Sequence, residues 1–395
     1  MSERVVLSAA ARTPIGRFQG GLAPLKATEL GAVAVREALK RAELDGENVD
    51  EVIMGCVLPA GQGQNPARQA SIYGGVPNTV SAMTINKVCG SGLRAVSLAA
   101  QFIKAGDSQV VVAGGMESMS NAPYALPTAR SGMRMGHQQA VDLMIWDGLW
   151  DIYNDFHMGM TGELVAEKYG ISREEQDTYA ANSHTKAIQA MESGRFDQEI
   201  VPVEIKGRKG TTTIDQDEGP RADSSAEVLG KLRPAFKRDG GTVTAGNAPS
   251  VNDGAAALVV AGEKRATELG LKAWYEVEAY ATGAREPEWV MMAPVKAVRN
   301  LLAKTGSAIG DFDLIELNEA FSVQAIAVMR ELEADPDRVN VNGGAVALGH
   351  PIGCSGARIL TTLMYAMGDR GAERGLAALC LGGGDAVALS IRRIA

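Results

Sequence analysis

The sequence predicts an α/β protein made of two related halves, with a further region inserted between the segments of the first half. Three observations favour this fold class. Apolar runs that suit buried strands alternate with amphipathic segments over the first 119 residues, the alternation returns from about residue 272, and a short motif occurs near both ends of the chain. Such alternation is typical of parallel sheets that are covered by helices.

The first part of the chain supplies the elements of the first half. The segments RVVLSAAA, EVIMGCV and QVVVAGG are predicted strands, and SAMTINKV leads to Cys89. Residues 28–42 carry apolar side chains at helical spacing, and a second helix is predicted from just after Cys89 to about Lys104.

The middle of the chain has a different character. Methionine and tryptophan residues accumulate after residue 116, and a charged, weakly apolar stretch follows, KGRKGTTTIDQDEGPRADSS. We interpret 120–246 as an inserted loop domain of helices and loops, a kind of region that often carries binding surface.

The α/β pattern then returns. DLIELNEAF is predicted to run from a strand into a helix, RVNVNGGAVALGH is a glycine-rich loop, SGARILTTLMYAM is a helix, and GLAALCLGGG and DAVALSIRR form a pair of strands. We therefore expect a first core at 1–119 plus 247–271, the loop domain at 120–246 and a second core at 272–395.

The two cores are predicted to be copies of one unit. Ser91-Gly92-Leu93-Arg94 aligns with Ser355-Gly356-Ala357-Arg358, and each helix is followed by a strand of small residues that ends in glycines. Pseudo-symmetry of this kind would bring the N-termini of the two helices close together.

Composition excludes several classes of function. The 395 residues carry a net charge of −8, which argues against a general nucleic-acid binder. No apolar stretch reaches the roughly 20 residues of a membrane span, and the N-terminus shows no signal peptide, so a cytoplasmic protein is expected. The four cysteines form no CxxC pair, so we expect neither a metal site nor a redox motif.

Cys89 is the first candidate for chemistry. It precedes Gly90-Ser91-Gly92 at the start of a predicted helix, where backbone N–H groups and the helix dipole would lower the pKa of a thiol. A free cysteine is also often a small buried apolar residue, and this alternative stays open from the local sequence alone.

Three further residues are candidates with ordinary structural alternatives. His350 lies between glycine and proline in GGAVALGHPIG and would suit a base that activates a thiol, although a lone histidine is more often structural. Cys380 ends an apolar strand and would by itself be a packed residue. Asn318, in NEAF, would cap a helix or orient a water or an imidazole. Cys354 is interpreted as structural.

Taken together, these segments resemble the thiolase family over essentially the whole chain. The resemblance depends on NKVCGSGLRAV, NEAF, NGGAVALGHPIGCSGAR and CLGGGDA, which occur in that order. GQNPARQA, TVTAGN and FHMGMTGE add to it, and FHMGM is similar to the acetoacetyl-CoA thiolase branch, the acetyl-CoA C-acetyltransferases. The resemblance implies a five-layered αβαβα fold.

The resemblance also implies catalytic roles. Cys89 would take the acyl group as a thioester, and His350 would activate it. Cys380 would be the general acid/base at the methyl carbon of a second acetyl-CoA. Asn318 would orient a water that, with His350, stabilises the enolate, and the N–H groups of Cys89 and Gly382 would form a second oxyanion hole.

Binding of coenzyme A is implied for the loop domain and its neighbours, and no metal or other cofactor is implied, since CoA thioesters are substrates. The expected CoA-binding positions are His157, Met158, Arg221, Phe236, Ala245 and Phe321. Family members are dimers or tetramers, and a homotetramer is favoured in this branch.

Two departures affect binding. Pro249 stands where family members often carry a serine that contacts pantetheine, and EPEWVMMAPV at 286–295 places Val290 where the branch often has methionine beside the acyl pocket. The sequence therefore defines the type of reaction more closely than the preferred length of the acyl chain.

Four alternatives to a short-chain acetyltransferase are compatible with parts of the sequence. The nearest is a broad 3-ketoacyl-CoA thiolase of fatty-acid β-oxidation. A decarboxylating ketoacyl synthase would lack a thiol at the position of Cys380, and a homologue without catalysis would lack one of the reactive residues. A cysteine hydrolase would leave Cys380 and the repeat without a role.

Overall fold

The computed structural model describes residues 3–208 and 210–394, and a ten-stranded mixed sheet is its central element. The strands of the chain are β1 (Val5–Arg12), β2 (Gly16–Arg17), β3 (Glu51–Gly55), β4 (Ser81–Ile85), β5 (Val110–Ser118), β6 (Tyr124–Ala125), β7 (Val141–Asp142), β8 (Trp150–Asp151), β9 (Phe156–His157), β10 (Val203–Gly207), β11 (Gly210–Ile214), β12 (Asn252–Gly262), β13 (Tyr275–Ala284), β14 (Leu314–Leu317), β15 (Arg374–Leu381) and β16 (Asp385–Arg393).

The helices lie between these strands in the expected alternation. They are α1 (Ala27–Ala42), α2 (Pro66–Tyr73), α3 (Ser91–Ala105), α4 (Leu143–Gly148), α5 (Met158–Tyr169), α6 (Arg173–Glu192), α7 (Ala226–Leu229), α8 (Glu263–Glu268), α9 (Ala293–Thr305), α10 (Ser322–Leu332), α11 (Ala345–Leu348) and α12 (Ser355–Arg370). Short 3₁₀ helices occupy Gly46–Asn48, Met119–Asn121, Ala129–Ser131, Pro287–Met292, Ile309–Asp311 and Pro336–Arg338.

The strand order confirms the two related halves. The sheet runs β14-β15-β16-β13-β1-β12-β5-β3-β4, and β2 pairs with β12. Counted outward from the middle of the sheet, the first two pairings of each half are antiparallel. They are β1–β12 and β12–β5 in the first half, and β13–β16 and β16–β15 in the second. The next pairing is parallel in both halves, β5–β3 and β15–β14. The helices α3 and α12 occupy equivalent places, and Ser91 and Ser355 are their first residues.

The prediction of a parallel sheet is wrong in part, because the sheet contains both parallel and antiparallel pairs. Strand β12 returns from the loop domain and inserts antiparallel between β1 and β5, and β16 follows β15 directly as an antiparallel partner. The two halves also join in one sheet, through a two-residue antiparallel contact at Val6–Glu276 and Leu7–Tyr275. Alternating helices and strands in a sequence do not reveal such insertions.

Three apolar cores define the five layers. The central core contains residues of α3 and α12 together with strands of both halves, so the two helices are the middle layer. A second core packs α1 and α2 against the outer face of the first half. A third packs α9 and α10 against the outer face of the second half. The layers are therefore helix, sheet, helix, sheet, helix.

The two central helices cross at a glycine of each. A Cβ atom on Gly92 would lie 2.6 Å from the backbone nitrogen of Ala357, and one on Gly356 would lie 2.4 Å from that of Leu93. These contacts are reciprocal because the residues are equivalent in the repeat. Only glycine at both positions allows the backbones to approach so closely, and this approach brings the two helix N-termini to one place.

The remaining elements modify the expectations in detail. The glycine-rich segment before His350 contains the short helix α11. The described residues of 120–246 hold three two-stranded sheets and four α-helices, α4 to α7. Within 3–208 and 210–394, no helix is both long enough and apolar enough to cross a bilayer.

We predict that Gly92→Ala destabilises the protein by roughly 1–3 kcal/mol, the usual cost of overpacking a filled core. The added methyl group would force α3 and α12 apart. Denaturant unfolding followed by circular dichroism measures the effect. Gly310→Ala is the matched control, because a Cβ there meets no atom within 4 Å. Equal stability of the two variants would contradict the role assigned to the crossing.

Candidate active site

A cavity of about 310 Å³ opens at the N-termini of the two central helices. Its walls are mostly apolar and come from both halves and from the loop domain. Nine of the residues predicted for the site line it: Cys89, His157, Met158, Phe236, Ala245, Phe321, His350, Cys380 and Gly382. Asn318 lies behind His350, and Arg221 lies outside the cavity.

Cys89 is placed by a tight turn between β4 and α3. The Ser91 hydroxyl donates to the carbonyl of Val88 at 2.7 Å and accepts from the backbone N–H of Lys87 at 2.8 Å. Gly90 packs closely against Leu381 at the end of β15, since a Cβ there would lie 2.1 Å from the Leu381 side chain. The thiol therefore lies against the loop that follows β15 in the other half.

His350 is held from both its backbone and its ring. Its backbone N–H donates to Oδ1 of Asn252 at 2.8 Å, and Gly349 packs on the same side chain with φ of 108°. Ring atom Nδ1 lies 2.6 Å from Oγ of Ser355, the residue equivalent to Ser91 in the repeat. Because Nδ1 is engaged inside the wall, Nε2 is the ring nitrogen left for chemistry.

The electrostatics of the pair differ from the sequence-based expectation. Burial raises the pKa of the Cys89 thiol to about 12, although the backbone N–H groups of Gly382 and of Cys89 lower it. Burial lowers the pKa of His350 to about 3, and the charge of Arg358 lowers it further. The expected thiolate at the helix mouth is wrong for the free protein, because desolvation outweighs the N–H groups. The resting pair is a thiol and a neutral imidazole.

Cys380 is the second thiol of the cavity. Burial raises its pKa well above the ordinary value, and the neighbouring Cys89 raises the pKa further. Two thiols that face one cavity cannot both ionise easily, because two like charges would lie close together. Cys380 is therefore also a protonated thiol in the resting site.

Asn318 contacts His350 directly. Its amide nitrogen lies 3.4 Å from Nδ1 of His350, and its backbone N–H donates to the carbonyl of Ala378 on β15. The amide oxygen is buried and has no hydrogen-bond partner among the described residues. The structure thus brings Asn318 to the imidazole, at the side of the ring away from Nε2.

An aromatic wall closes the side of the loop domain. The rings of His157 and Phe236 stack at 4.7 Å, and Phe236 meets Phe321 edge-on at 6.3 Å. Gly159 leaves room for this stack, since a Cβ there would lie 2.2 Å from the Phe236 ring. Nδ1 of His157 accepts from the N–H of Gly159, and burial lowers the pKa of His157, so the neutral ring carries its proton on Nε2.

The Ala245 wall is fixed by buried acids. Glu163 on α5 accepts from the backbone N–H groups of Thr242 and Val243, and Asp177 on α6 accepts from the side chain of Asn247. This rigid turn presents Ala245 to the cavity. Sequence reasoning missed these two acids, because their partners lie about 70 residues away or more in the chain.

The two departures both lie in the cavity wall. Pro249 and Val290 are lining residues, and Ser250 next to Pro249 also faces the cavity. The hydroxyl of Ser250 donates to Oδ1 of Asn252, the same oxygen that holds the backbone of His350. Arg221 is exposed, and its backbone N–H donates to His184.

Glu117 is a functional position that the sequence analysis did not identify. Its carboxylate accepts from the N–H groups of Val57, Leu58 and Gly353, and so joins the end of β3 to the loop that carries His350. Burial raises the pKa of Glu117 to about 7, although these N–H groups lower it. The one available signal was an acid at the end of an otherwise apolar strand, GGMES.

No group of three or more His, Cys, Asp and Glu residues within 3–208 and 210–394 could hold a metal ion. The cavity itself presents the thiols of Cys89 and Cys380 and the imidazoles of His157 and His350. Such a set suits transfer of an acyl group between thiols.

Family models match nearly all of the chain. The model described as "Thiolase, N-terminal domain" covers residues 5–264, and "Thiolase, C-terminal domain" covers residues 271–393. The chain belongs to the thiolase family.

Full-length relatives support this membership. An acetyl-CoA acetyltransferase of Pseudomonas aeruginosa is 55% identical over 98% of this thiolase and 99% of its own length. One from Syntrophomonas wolfei is 54% identical over the whole of both chains. A crystal structure of the Bacillus anthracis acetyl-CoA acetyltransferase superposes with a TM-score of 0.97 at 45% identity, covering 100% of this thiolase and 99% of that chain.

We predict that alkylation of Cys89 in the free thiolase becomes faster as the pH rises. Iodoacetamide reacts with the thiolate, and burial raises the pKa of Cys89, so little thiolate exists at neutral pH. The rate, followed by mass spectrometry of the Cys89 peptide, should keep increasing between about pH 6 and about pH 9. The reason is that the raised pKa of Cys89 lies above the value of about 8.5 of an ordinary thiol. A plateau at or below neutral pH would contradict the assignment of a neutral resting pair.

Proposed function

We propose that this thiolase is an acetyl-CoA C-acetyltransferase, which interconverts two acetyl-CoA with acetoacetyl-CoA plus CoA. The observation that carries the proposal is the meeting of Cys89, His350 and Cys380, from two different halves, in one apolar cavity. The full-length relatives that bear the name acetyl-CoA acetyltransferase support it.

The first half of the reaction transfers an acetyl group to Cys89. The sulfur attacks the thioester carbon while Nε2 of His350 takes the thiol proton. The N–H groups of Cys89 and Gly382 both reach the region of the sulfur, where they would stabilise the oxyanion of the tetrahedral intermediate. CoA then leaves as a thiol with the proton of Cys380, and the acetyl group remains on Cys89.

The second half forms the carbon–carbon bond. Cys380, now a thiolate, removes a proton from the methyl group of a second acetyl-CoA. The enolate carbon attacks the acetyl carbonyl on Cys89, and the bond between that carbon and the sulfur breaks. His350 returns its proton to Cys89, so both thiols and the imidazole end as they began. Asn318, which lies beside the imidazole, would orient a water that stabilises the enolate oxygen together with His350.

This scheme explains why the resting thiols are protonated. Cys380 needs a proton for the departing CoA, and Cys89 needs one only until His350 takes it. The raised pKa of Cys380 also makes its thiolate a strong base once it has formed. The scheme uses CoA thioesters as substrates and requires no separate cofactor.

The CoA substrate would enter past the loop domain. The cavity suits the pantetheine arm and the acetyl group, with Met158, Phe236 and Phe321 as apolar walls and His157 as a donor through Nε2. Arg221 is exposed, where it would meet only the nucleotide end of CoA.

The proposal includes the division of the chain into a first core at 1–119 plus 247–271, a loop domain at 120–246 and a second core at 272–395.

Assembly as a homotetramer or homodimer is part of the same proposal. Several large apolar side chains of the loop domain are exposed, which supports contact with further copies: Tyr124, Leu126, Met135, Trp146, Ile152 and Tyr153. Light scattering after size-exclusion chromatography would give the number of subunits.

Thiolysis rates test the proposed reaction. We expect CoA-dependent cleavage of acetoacetyl-CoA to exceed that of 3-ketoacyl-CoA substrates of about six to sixteen carbons, because a cavity of about 310 Å³ must hold both the pantetheine arm and the acyl chain. Cys89→Ala should lower the rate by more than about 10³-fold, whereas Cys354→Ala removes a thiol from the core and should retain activity. Good turnover of long chains would reassign the protein to fatty-acid breakdown.

Proton exchange tests the role of Cys380 separately. In deuterated water the protein should place deuterium in the methyl group of acetyl-CoA, and Cys380→Ser should reduce this exchange by about 10²–10⁴-fold, the usual contribution of a general base. Acetylation of Cys89 should still occur in that variant, but more slowly, because Cys380 also supplies the proton of the departing CoA. Exchange at the normal rate in Cys380→Ser would assign the base to another group.

A further inference from the structure

Two loops from different halves of the repeat meet at Cys89. One is 86–90, which precedes α3, and the other is the turn between β15 and β16, taken here with its flanking residues as 381–385. They are in direct contact, since Gly90 packs against Leu381, and Val88 Cγ1 lies 3.4 Å from the Cβ position of Gly382. Each loop supplies one backbone N–H beside the thiol, that of Cys89 itself and that of Gly382, and both N–H groups lower the pKa of Cys89. The relative position of the two loops therefore determines the geometry of the donors.

The first loop is strained at the residue before the nucleophile. Val88 has φ of 44°, a left-handed conformation that is rare for a β-branched residue. Such a conformation is unfavourable and persists only where the surroundings enforce it. The Val88 N–H donates to Oδ1 of Asn86 at 2.9 Å, and the hydroxyl of Ser91 donates to the Val88 carbonyl. Both of these restraints come from the same segment of the chain.

One restraint comes from the other half. The ammonium group of Lys87 forms an ion pair with the carboxylate of Asp385, the first residue of β16. Both side chains are half-buried, with 27% and 29% of their surfaces exposed. Asp385 follows Gly383 and Gly384, which both have φ of 87°, so the second loop has little side-chain packing of its own. Neither charged residue lines the cavity.

We propose that the Lys87–Asp385 ion pair positions the two N–H donors around Cys89 and so accelerates acyl transfer without touching the substrate. The pair fixes the loop of Gly382 against the strained turn of Val88. This inference depends on the proposed function, because its readout is acetylation of Cys89.

A merely stabilising ion pair would behave differently. A partly exposed pair contributes little to the stability of the fold. An oxyanion-hole donor acts only on the transition state, and removing one donor from such a site costs about 10²–10³-fold in rate. Displacing a donor by a fraction of an ångström should cost part of that amount, and it should leave the affinity for acetyl-CoA nearly unchanged.

A double-mutant cycle tests the proposal. Lys87→Met, Asp385→Asn and the double variant would be mixed with acetyl-CoA in a rapid-quench instrument, and acetyl-Cys89 would be measured over time. We expect each single variant to acetylate about tenfold more slowly at saturation, a fraction of the loss of a whole donor. The acetyl-CoA concentration that gives half of the maximal rate should change less than twofold. The double variant should be no slower than the slower single variant, because both changes break one interaction.

Two further variants keep the test decisive. Asp385→Glu retains the charge and should recover a faster rate than the neutral Asp385→Asn. Asp369→Asn breaks the Arg195–Asp369 pair, whose side chains are 44% and 28% exposed and lie away from the cavity, and it should acetylate at the normal rate. Unfolding midpoints of all variants would show whether stability alone has changed.

Several results would overturn the proposal. One is that each single variant acetylates within twofold of the unmodified rate, and another is that the two rate losses multiply in the double variant. The others are that only the acetyl-CoA concentration for half-saturation changes, or that Asp369→Asn acetylates as slowly as the test variants. If the unmodified protein itself forms no acetyl-Cys89, the proposed function fails, and the ion pair is then not the cause.

Discussion

The close crossing of α3 and α12 is the constraint on which the active site depends. Gly92 and Gly356 let the two helix backbones touch, and each helix begins beside one reactive residue of its own half. Cys89 precedes α3 and His350 precedes α12, so the crossing brings a thiol and an imidazole from separate parts of the chain to one cavity. A bulkier residue at either glycine would separate the two helices and would therefore move Cys89 away from His350.

Burial then sets the protonation states. The site is lined by apolar side chains, so both thiols and the imidazole are neutral at rest. In the proposed reaction charge develops on the substrate oxygen, and the N–H groups of Cys89 and Gly382 would stabilise it. Donors that are already oriented need no reorganisation when the oxyanion forms. Glu117 and Asn252 support this arrangement by holding the loop of His350 in place.

Much of this account could be predicted from local patterns. Strands β1, β3 and β5, helices α1, α3 and α12, and the pair β15–β16 follow from apolar periodicity, and the repeat of Ser91-Gly92 at Ser355-Gly356 predicts the meeting of the helices. Strand direction was not predictable, because β12 arrives from a distant segment. The net pKa of Cys89 was not predictable either, since a helix N-terminus is visible in a sequence and desolvation is not. Ser355 could have been found through its equivalence to Ser91.

The central claim is that Cys89, activated across the two halves, carries the acetyl group. The most direct measurement is peptide mapping by mass spectrometry after brief incubation with acetyl-CoA and acid quenching, on the unmodified protein and on His350→Ala. The account predicts one acetyl group on the Cys89 peptide, formed much more slowly in His350→Ala. An acetyl group on Cys380 instead, or equal rates of Cys89 acetylation in the two proteins, would contradict it.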